Sequence, residues 1–144
     1  MKKNVSRGAL FAICFMLVVV LSGTVAVYAV DVEHQAGEKI IDEYEYISSA
    51  STNLSISGDM ATASAKITRK SSADRVKITM NLQQKKDNEW NTVKSWGKNS
   101  SSRVTYIEKT KTVSGGLYRV YTKVITYTGD DSETIKIYSK TKKH

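Results

Sequence analysis

Polar and apolar residues alternate without a break from Arg75 to Gln83. This period of two places Val76, Ile78, Met80 and Leu82 toward a core, and Arg75, Lys77, Thr79, Asn81 and Gln83 toward water. Met60 to Thr68 repeats the theme with Ala61, Ala63, Ala65 and Ile67 inward, small side chains that suit a close approach of two layers. From Tyr118 to Tyr127 the inner set is Tyr118, Val120, Thr122 and Val124, and Ile135 with Ile137 marks a final strand. Turn signals punctuate these runs, among them Ser57-Gly58-Asp59, Lys86-Asp87-Asn88-Glu89, Ser114-Gly115-Gly116 and Thr128-Gly129-Asp130-Asp131. Gly, Asp and Asn accept the positive φ that tight hairpins need. The pattern predicts strands at 51–57, 60–68, 75–84, 90–97, 103–113, 117–128 and 132–139. Seven short antiparallel strands in one stretch of chain imply an all-β, two-sheet sandwich, with a closed barrel as the alternative.

The opening residues break this period. Lys2, Lys3 and Arg7 precede an apolar run from Ala9 to Leu21, then Ser22-Gly23-Thr24 interrupts it and Val27-Tyr28-Ala29 supplies small residues. That order of charge, apolar core and small residues is that of a secretory signal peptide, with cleavage expected after Ala29. The apolar stretch is long enough for an uncleaved anchor as well, since a spanning helix needs about 20 such residues. Cleavage leaves no stable transmembrane span. Cys14 lies inside the apolar core, unlike a lipoprotein cysteine, and a chain with no Pro has no Leu-Pro-x-Thr-Gly sortase signal.

Composition sharpens the division. The chain has 144 residues, 22 Lys and Arg, 14 Asp and Glu, and one Cys. Removing 29 residues and their three basic side chains leaves 115 residues, 19 bases and 14 acids, a charge of +5 and no cysteine. An exported chain of this size without a disulfide must draw its stability from its core. Residues 1–29 read as signal peptide, 30–47 as an acidic arm and 48–144 as the β-sandwich domain. The arm holds six acids against Lys39, whereas Tyr46 onward holds 18 bases against eight acids. Ile40, Tyr44 and Ile47 fall at helical spacing, but barely two turns form a marginal helix. A flexible leader docking partly onto the basic body is the preferred reading.

Two stretches carry a resemblance. Met80-Asn81-Leu82-Gln83-Gln84, with Glu89-Trp90-Asn91-Thr92-Val93-Lys94-Ser95-Trp96 beyond a polar turn, is the first, and Gly116-Leu117-Tyr118-Arg119-Val120 is the second. Together they resemble strand pairs of immunoglobulin-like sandwiches in small exported proteins of Firmicutes of unassigned function. The resemblance implies that Tyr118, two residues before Val120, acts as the tyrosine that hydrogen-bonds back across the corner between strands. Both disulfide cysteines of immunoglobulin domains are absent, and neither Trp lies in the strand that normally carries the core Trp. The resemblance covers about Ser51 to Lys140 and implies a binding or structural module.

Catalytic chemistry finds little material. The histidines, His34 and His144, lie in the arm and at the far terminus, and the mature chain offers no thiol nucleophile or thiolate metal site. No serine sits in a nucleophile-elbow sequence, and phosphate-cradling Gly-rich loops are lacking. Asp130, Asp131 and Glu133 form an acidic turn without a calcium-loop pattern. The reading is therefore non-enzymatic, with no cofactor and no metal. Basic residues recur along outward faces, and Lys77, Lys94, Arg119 and Lys123 are the candidates for contact with anions. Trp90 and Trp96, six residues apart and so on one face of an ideal strand, are candidate aromatic contacts for sugar rings, although core packing competes for at least one. The expected role is a secreted or cell-surface protein that binds anionic envelope polymers or lipid headgroups, with no specific nucleic-acid partner. A bacteriocin-like or membrane-active protein is the alternative, and the oligomeric state stays open.

Overall fold

A computed structural model describes residues 31–33, 40–41 and 44–144. The signal-peptide segment with Cys14 and the expected cleavage point at Ala29, and His34 in the arm, lie outside the described residues. Ten strands follow in chain order: β1 (Asp31–Glu33), β2 (Ile40–Ile41), β3 (Ile47–Ser57), β4 (Met60–Arg69), β5 (Arg75–Lys86), β6 (Glu89–Ser100), β7 (Val104–Thr112), β8 (Leu117–Thr128), β9 (Asp131–Tyr138) and β10 (Lys142–Lys143). The seven long strands match the seven predicted ones to within a few residues at each end. The largest difference is β3, which starts at the fully buried Ile47, four residues ahead of expectation.

Two sheets form an immunoglobulin-like sandwich. Sheet A runs β1-β9-β8-β5-β6, with β10 added to β8, and sheet B runs β2-β3-β4-β7. The chain makes the β3–β4 hairpin in sheet B, crosses to sheet A for the β5–β6 hairpin, returns as β7 and crosses back for β8 and β9. All long-strand pairings are antiparallel. Three of the hairpin turns use the residues that the sequence marked. Asp87 and Asn88 both have positive φ, 51° and 64°, as a two-residue turn with the twist of its strands requires. Gly58 and Gly129 take positive φ in the other two.

The core follows the period of two. Val76, Ile78, Met80 and Leu82 from β5, Val120 and Val124 from β8, and Ile135 and Ile137 from β9 make the inner face of sheet A, all at most 2 % exposed. Opposite them lie Ile47, Ala50 and Leu54 from β3 and Ala61, Ala63, Ala65 and Ile67 from β4. A hydroxyl pair also bridges the sheets inside the core. Thr52 Oγ1 and Thr122 Oγ1 are 2.9 Å apart, and Thr52 donates onward to the Ser64 carbonyl at 3.1 Å. If Thr52 donates to Ser64, its oxygen is left to accept from Thr122, so both buried hydroxyls are satisfied.

The corner before β8 is closed by Tyr118, which is 2 % exposed and donates its hydroxyl to the Ser114 carbonyl at 2.8 Å. Gly116 at φ 153° sits in a region that is essentially glycine's, and a Cβ there would meet Gln84 Nε2 at 2.5 Å. Gln84 donates that Nε2 to the Gly115 carbonyl at 3.2 Å. Tyr118, Gly116 and Gln84 thus lock the β7–β8 connection to the end of β5.

The arm is extended where it is described. β1 pairs in parallel with β9, placing Glu33 across from Lys136, and β2 pairs antiparallel with Ser49–Ala50 of β3. Ile40 therefore lies in a strand, and the helical spacing of Ile40, Tyr44 and Ile47 reflects no helix. Pairing with a ready sheet edge supplies hydrogen-bond partners that an isolated short helix lacks. Both Glu133 carboxylate oxygens accept backbone N–H groups, from Glu45 and Tyr46 at 3.0 Å each, and fasten the entry to β3.

Two substitutions test this account by thermal unfolding. Tyr118→Phe removes the corner hydrogen bond and is expected to cost about 1 kcal/mol, a drop of roughly 4 to 8 °C in melting temperature for a domain of this size. Thr126 Oγ1 is buried without a hydrogen-bond partner among the described residues, so Thr126→Val is expected to stabilise by about 1 kcal/mol. A neutral Tyr118→Phe or a destabilising Thr126→Val contradicts these assignments.

Candidate functional site

The outer face of sheet A gathers basic and aromatic side chains. Its rows follow from the register: Tyr138, Tyr121, Asn81 and Ser95 lie side by side, then Lys136, Lys123, Thr79 and Gly97, then Thr134, Ile125, Lys77 and Asn99. Over β5, β8 and β9 this face holds six basic residues, Arg75, Lys77, Lys85, Arg119, Lys123 and Lys136, and no acid, while at its edge β1 sets Asp31 and Glu33 in the rows of Thr134 and Lys136. The outer face of sheet B differs. Ser51, Asn53, Ser55, Thr62, Ser64 and Thr110 dominate it, and Lys66 and Glu108 offset each other.

On this face Arg119 is held by three partners. Its guanidinium stands 4.3 Å from the ring centroids of both Trp90 and Tyr138, and its Nε donates to Gln83 Oε1 at 2.8 Å. Tyr138 in turn lies against Tyr121, centroids 5.1 Å apart. Such stacking holds a cation in place through the negative faces of the rings. At the other end of the face Arg75 stacks on Tyr127 at 4.4 Å. There Arg75, Val76, Lys77, Asn99 and Tyr127 line a shallow depression of about 270 Å³. Lys123 lies directly opposite Lys136 across β8 and β9, and Glu33 of β1 takes the register position on the other side of Lys136.

The structure divides the candidates proposed from sequence. Lys77, Arg119 and Lys123 share the outer face of sheet A. Lys94 does not: it pairs with Leu82 on the core-facing side of β6, at the open side of the sandwich. The two tryptophans separate as well. Between Leu82 and Gln83 the register shifts, so that Lys94 and Thr92 take the opposing places and Val93 is the extra residue, a β-bulge. One added residue inverts the alternation. Trp90 pairs with the outward Lys85, whereas Trp96 pairs with the fully buried Met80 and packs against the core. The expectation of one face holds for an ideal strand and fails here because of that bulge.

Several partners were not legible from sequence. Gln83, Tyr138 and Tyr121 reach Arg119 or one another only through cross-strand register, which spacing along one strand does not reveal. Glu133, from the acidic turn, directs its carboxylate to the backbone of Glu45 and Tyr46. Among the described residues no group of three acids, histidines or cysteines is placed to hold a metal ion. His144, at the far terminus, is exposed and also tied to the body: its backbone N–H donates to the Gly116 carbonyl at 2.9 Å and its Nε2 lies 3.0 Å from Asp59 Oδ1.

Two phenols are perturbed. Tyr106 donates to the Glu108 carboxylate, and that hydrogen bond, followed by desolvation, raises its pKa above the ordinary value of 10.0. Desolvation and then the nearby Glu45 raise that of Tyr46. No protein-family model matches the chain, and no curated protein matches it either.

A phenol whose pKa is raised by folding contributes stability that is present below pH 10 and is lost as pH rises through the folded value. The absorbance difference between the protein and its Tyr106→Phe variant is therefore expected to titrate above pH 10. Titration at or below about 10, the ordinary tyrosine value, contradicts the hydrogen bond to Glu108.

Proposed function

We propose that this is an exported, non-enzymatic binding protein that associates with anionic polymers of the bacterial cell envelope through the outer face of sheet A. The observation that carries the reading is the segregation of charge: six basic residues and no acid on β5, β8 and β9 of one face, against an almost neutral, hydroxyl-rich face opposite. β5 has 12 residues, so the basic face extends over about 40 Å. A surface of that length matches a linear polyanion better than a small ligand. Screening confines its attraction to about 8 Å at physiological salt, so the face acts on groups that lie close along its length.

The rows of the sheet suit such a ligand. Anionic groups of the polymer meet Lys123 near the middle of the face and Arg75 with Lys77 beside the depression. The Arg119 guanidinium lies over the rings of Trp90 and Tyr138, 4.3 Å from each centroid, and joins them into one cationic and aromatic patch. The export signal read from residues 1–29 accords with an extracellular setting.

Titration of the purified chain with a poly(glycerol phosphate) teichoic acid at several salt concentrations tests the reading. Binding is expected to weaken steeply with salt. Lys77→Gln combined with Lys123→Gln is expected to reduce the slope of log K against log salt by about 1 to 2, on the order of one contact per lysine. Lys66→Gln on sheet B is expected to leave the slope unchanged. Salt-insensitive binding, or equal losses from both sets of variants, overturns the assignment to this face.

A further inference from the structure

The open side of the sandwich carries a second charge pattern, apart from the outer face of sheet A. β6 and β7 end their respective sheets there, and among the described residues no further strand pairs with either. Four lysines occupy core-facing register positions on these two edges. Lys94 and Lys98 of β6 oppose Leu82 and Ile78, and Lys109 and Lys111 of β7 oppose Ala63 and Ala61. All four of the opposing residues are buried, whereas the lysines themselves are exposed, so the ammonium groups emerge into the seam between the sheets. A groove of about 480 Å³ lies there, lined by Gly97, Lys98, Tyr106, Ile107, Glu108 and Lys109, two lysines against one acid. A smaller one of about 160 Å³ lies against Val93, Lys111 and Tyr118.

The backbone of β7 faces the same seam. Lys98 Nζ donates to the Tyr106 carbonyl at 2.7 Å, so that carbonyl points away from β4 and toward β6. In an antiparallel strand alternate residues direct their N–H and C=O groups the same way, which places those of Glu108 and Thr110 on the open edge too. Inward lysines on an edge are a common defence against pairing with apolar strands. An acidic strand, in contrast, neutralises them. Residues two apart on a strand are about 6.6 Å apart, so acids at alternate positions match Lys109 and Lys111.

The opposite side of the molecule shows the same kind of occupant. There β1 extends sheet A and β2 extends sheet B, and both belong to the acid-rich stretch from Asp31 to Glu45. That stretch contains acids two apart at Asp31 and Glu33, and again at Glu43 and Glu45. We propose that the β6–β7 seam binds an extended acidic peptide segment, added as a strand to β7 with acidic side chains at alternate positions against Lys109 and Lys111. Backbone hydrogen bonds give the segment its register, and the lysines choose acidic sequences over apolar ones.

A synthetic peptide of residues 31–45, its counterpart with every Asp and Glu replaced by the amide, and inorganic polyphosphate serve as probes in fluorescence-anisotropy titrations of the full chain. The acidic peptide is expected to bind, with affinity about tenfold or more lower for Lys109→Gln/Lys111→Gln and for the amide peptide. Lys77→Gln/Lys123→Gln is expected to leave it unchanged, which separates this seam from the outer face of sheet A. Amide hydrogen exchange at Glu108 and Thr110 is expected to slow on binding, a change that attraction of charge alone does not produce. Unchanged exchange at those two amides, equal losses in both lysine variants, or polyphosphate binding at the seam without peptide binding overturns the proposal.

Discussion

Ala61, Ala63 and Ala65 let β4 lie against the larger side chains of β5 and β8, and the rest of the molecule depends on that contact. No disulfide joins the sheets, because the one cysteine, Cys14, precedes the sandwich. The interior therefore relies on area and shape: Ile78, Met80, Leu82, Val120 and Val124 enter the space that the alanines leave, at the density that interiors require. Thr52 and Thr122 add a hydrogen bond between the sheets where both hydroxyls are out of water. The Tyr118 corner and the glycine-specific backbone at Gly116 then hold the crossing into β8 in one conformation.

This packing also organises the outside. Once alternate residues of β5, β8 and β9 are committed to the core, the intervening ones must share one outer surface, and in this chain six of them are basic and three are tyrosines. The same commitment on β3 and β4 leaves serines and threonines outside. Charge segregation between the two faces is thus a direct result of the period of two. At the edges the constraint relaxes. β6 has a neighbour on one side only, and its core-facing positions beyond Trp96 and near the bulge can carry Lys98 and Lys94 because they lie at the open edge, where both stay exposed and Lys98 reaches the Tyr106 carbonyl of β7.

Sequence reasoning succeeded where a strand is covered on both sides. The inward residues of β4, β5, β8 and β9 are those that alternation picked out, and the Tyr118 hydrogen bond was legible from the position of Tyr118 before Val120. It fell short where geometry depends on neighbours. Lys77, Arg119 and Lys123 were recognised as outward, but Lys94 reads the same way along the chain and lies on the other side of β6. The cause is the bulge at Val93, which also parts Trp90 from Trp96 and leaves no mark in the local pattern. The stacking of Arg119 between Trp90 and Tyr138 joins β6, β8 and β9, three strands whose register no single-strand period encodes.

The central claim is that one face of the sandwich, defined by the register of β5, β8 and β9, meets the polyanion. Backbone amide chemical shifts of the labelled chain, followed by NMR as poly(glycerol phosphate) is added, test it most directly. The account predicts that perturbations concentrate at Arg75, Lys77, Arg119, Lys123 and Lys136, while Ser51, Asn53, Thr62 and Ser64 on the far side of the sandwich stay still. Shifts spread evenly over both faces, or centred on sheet B, contradict it.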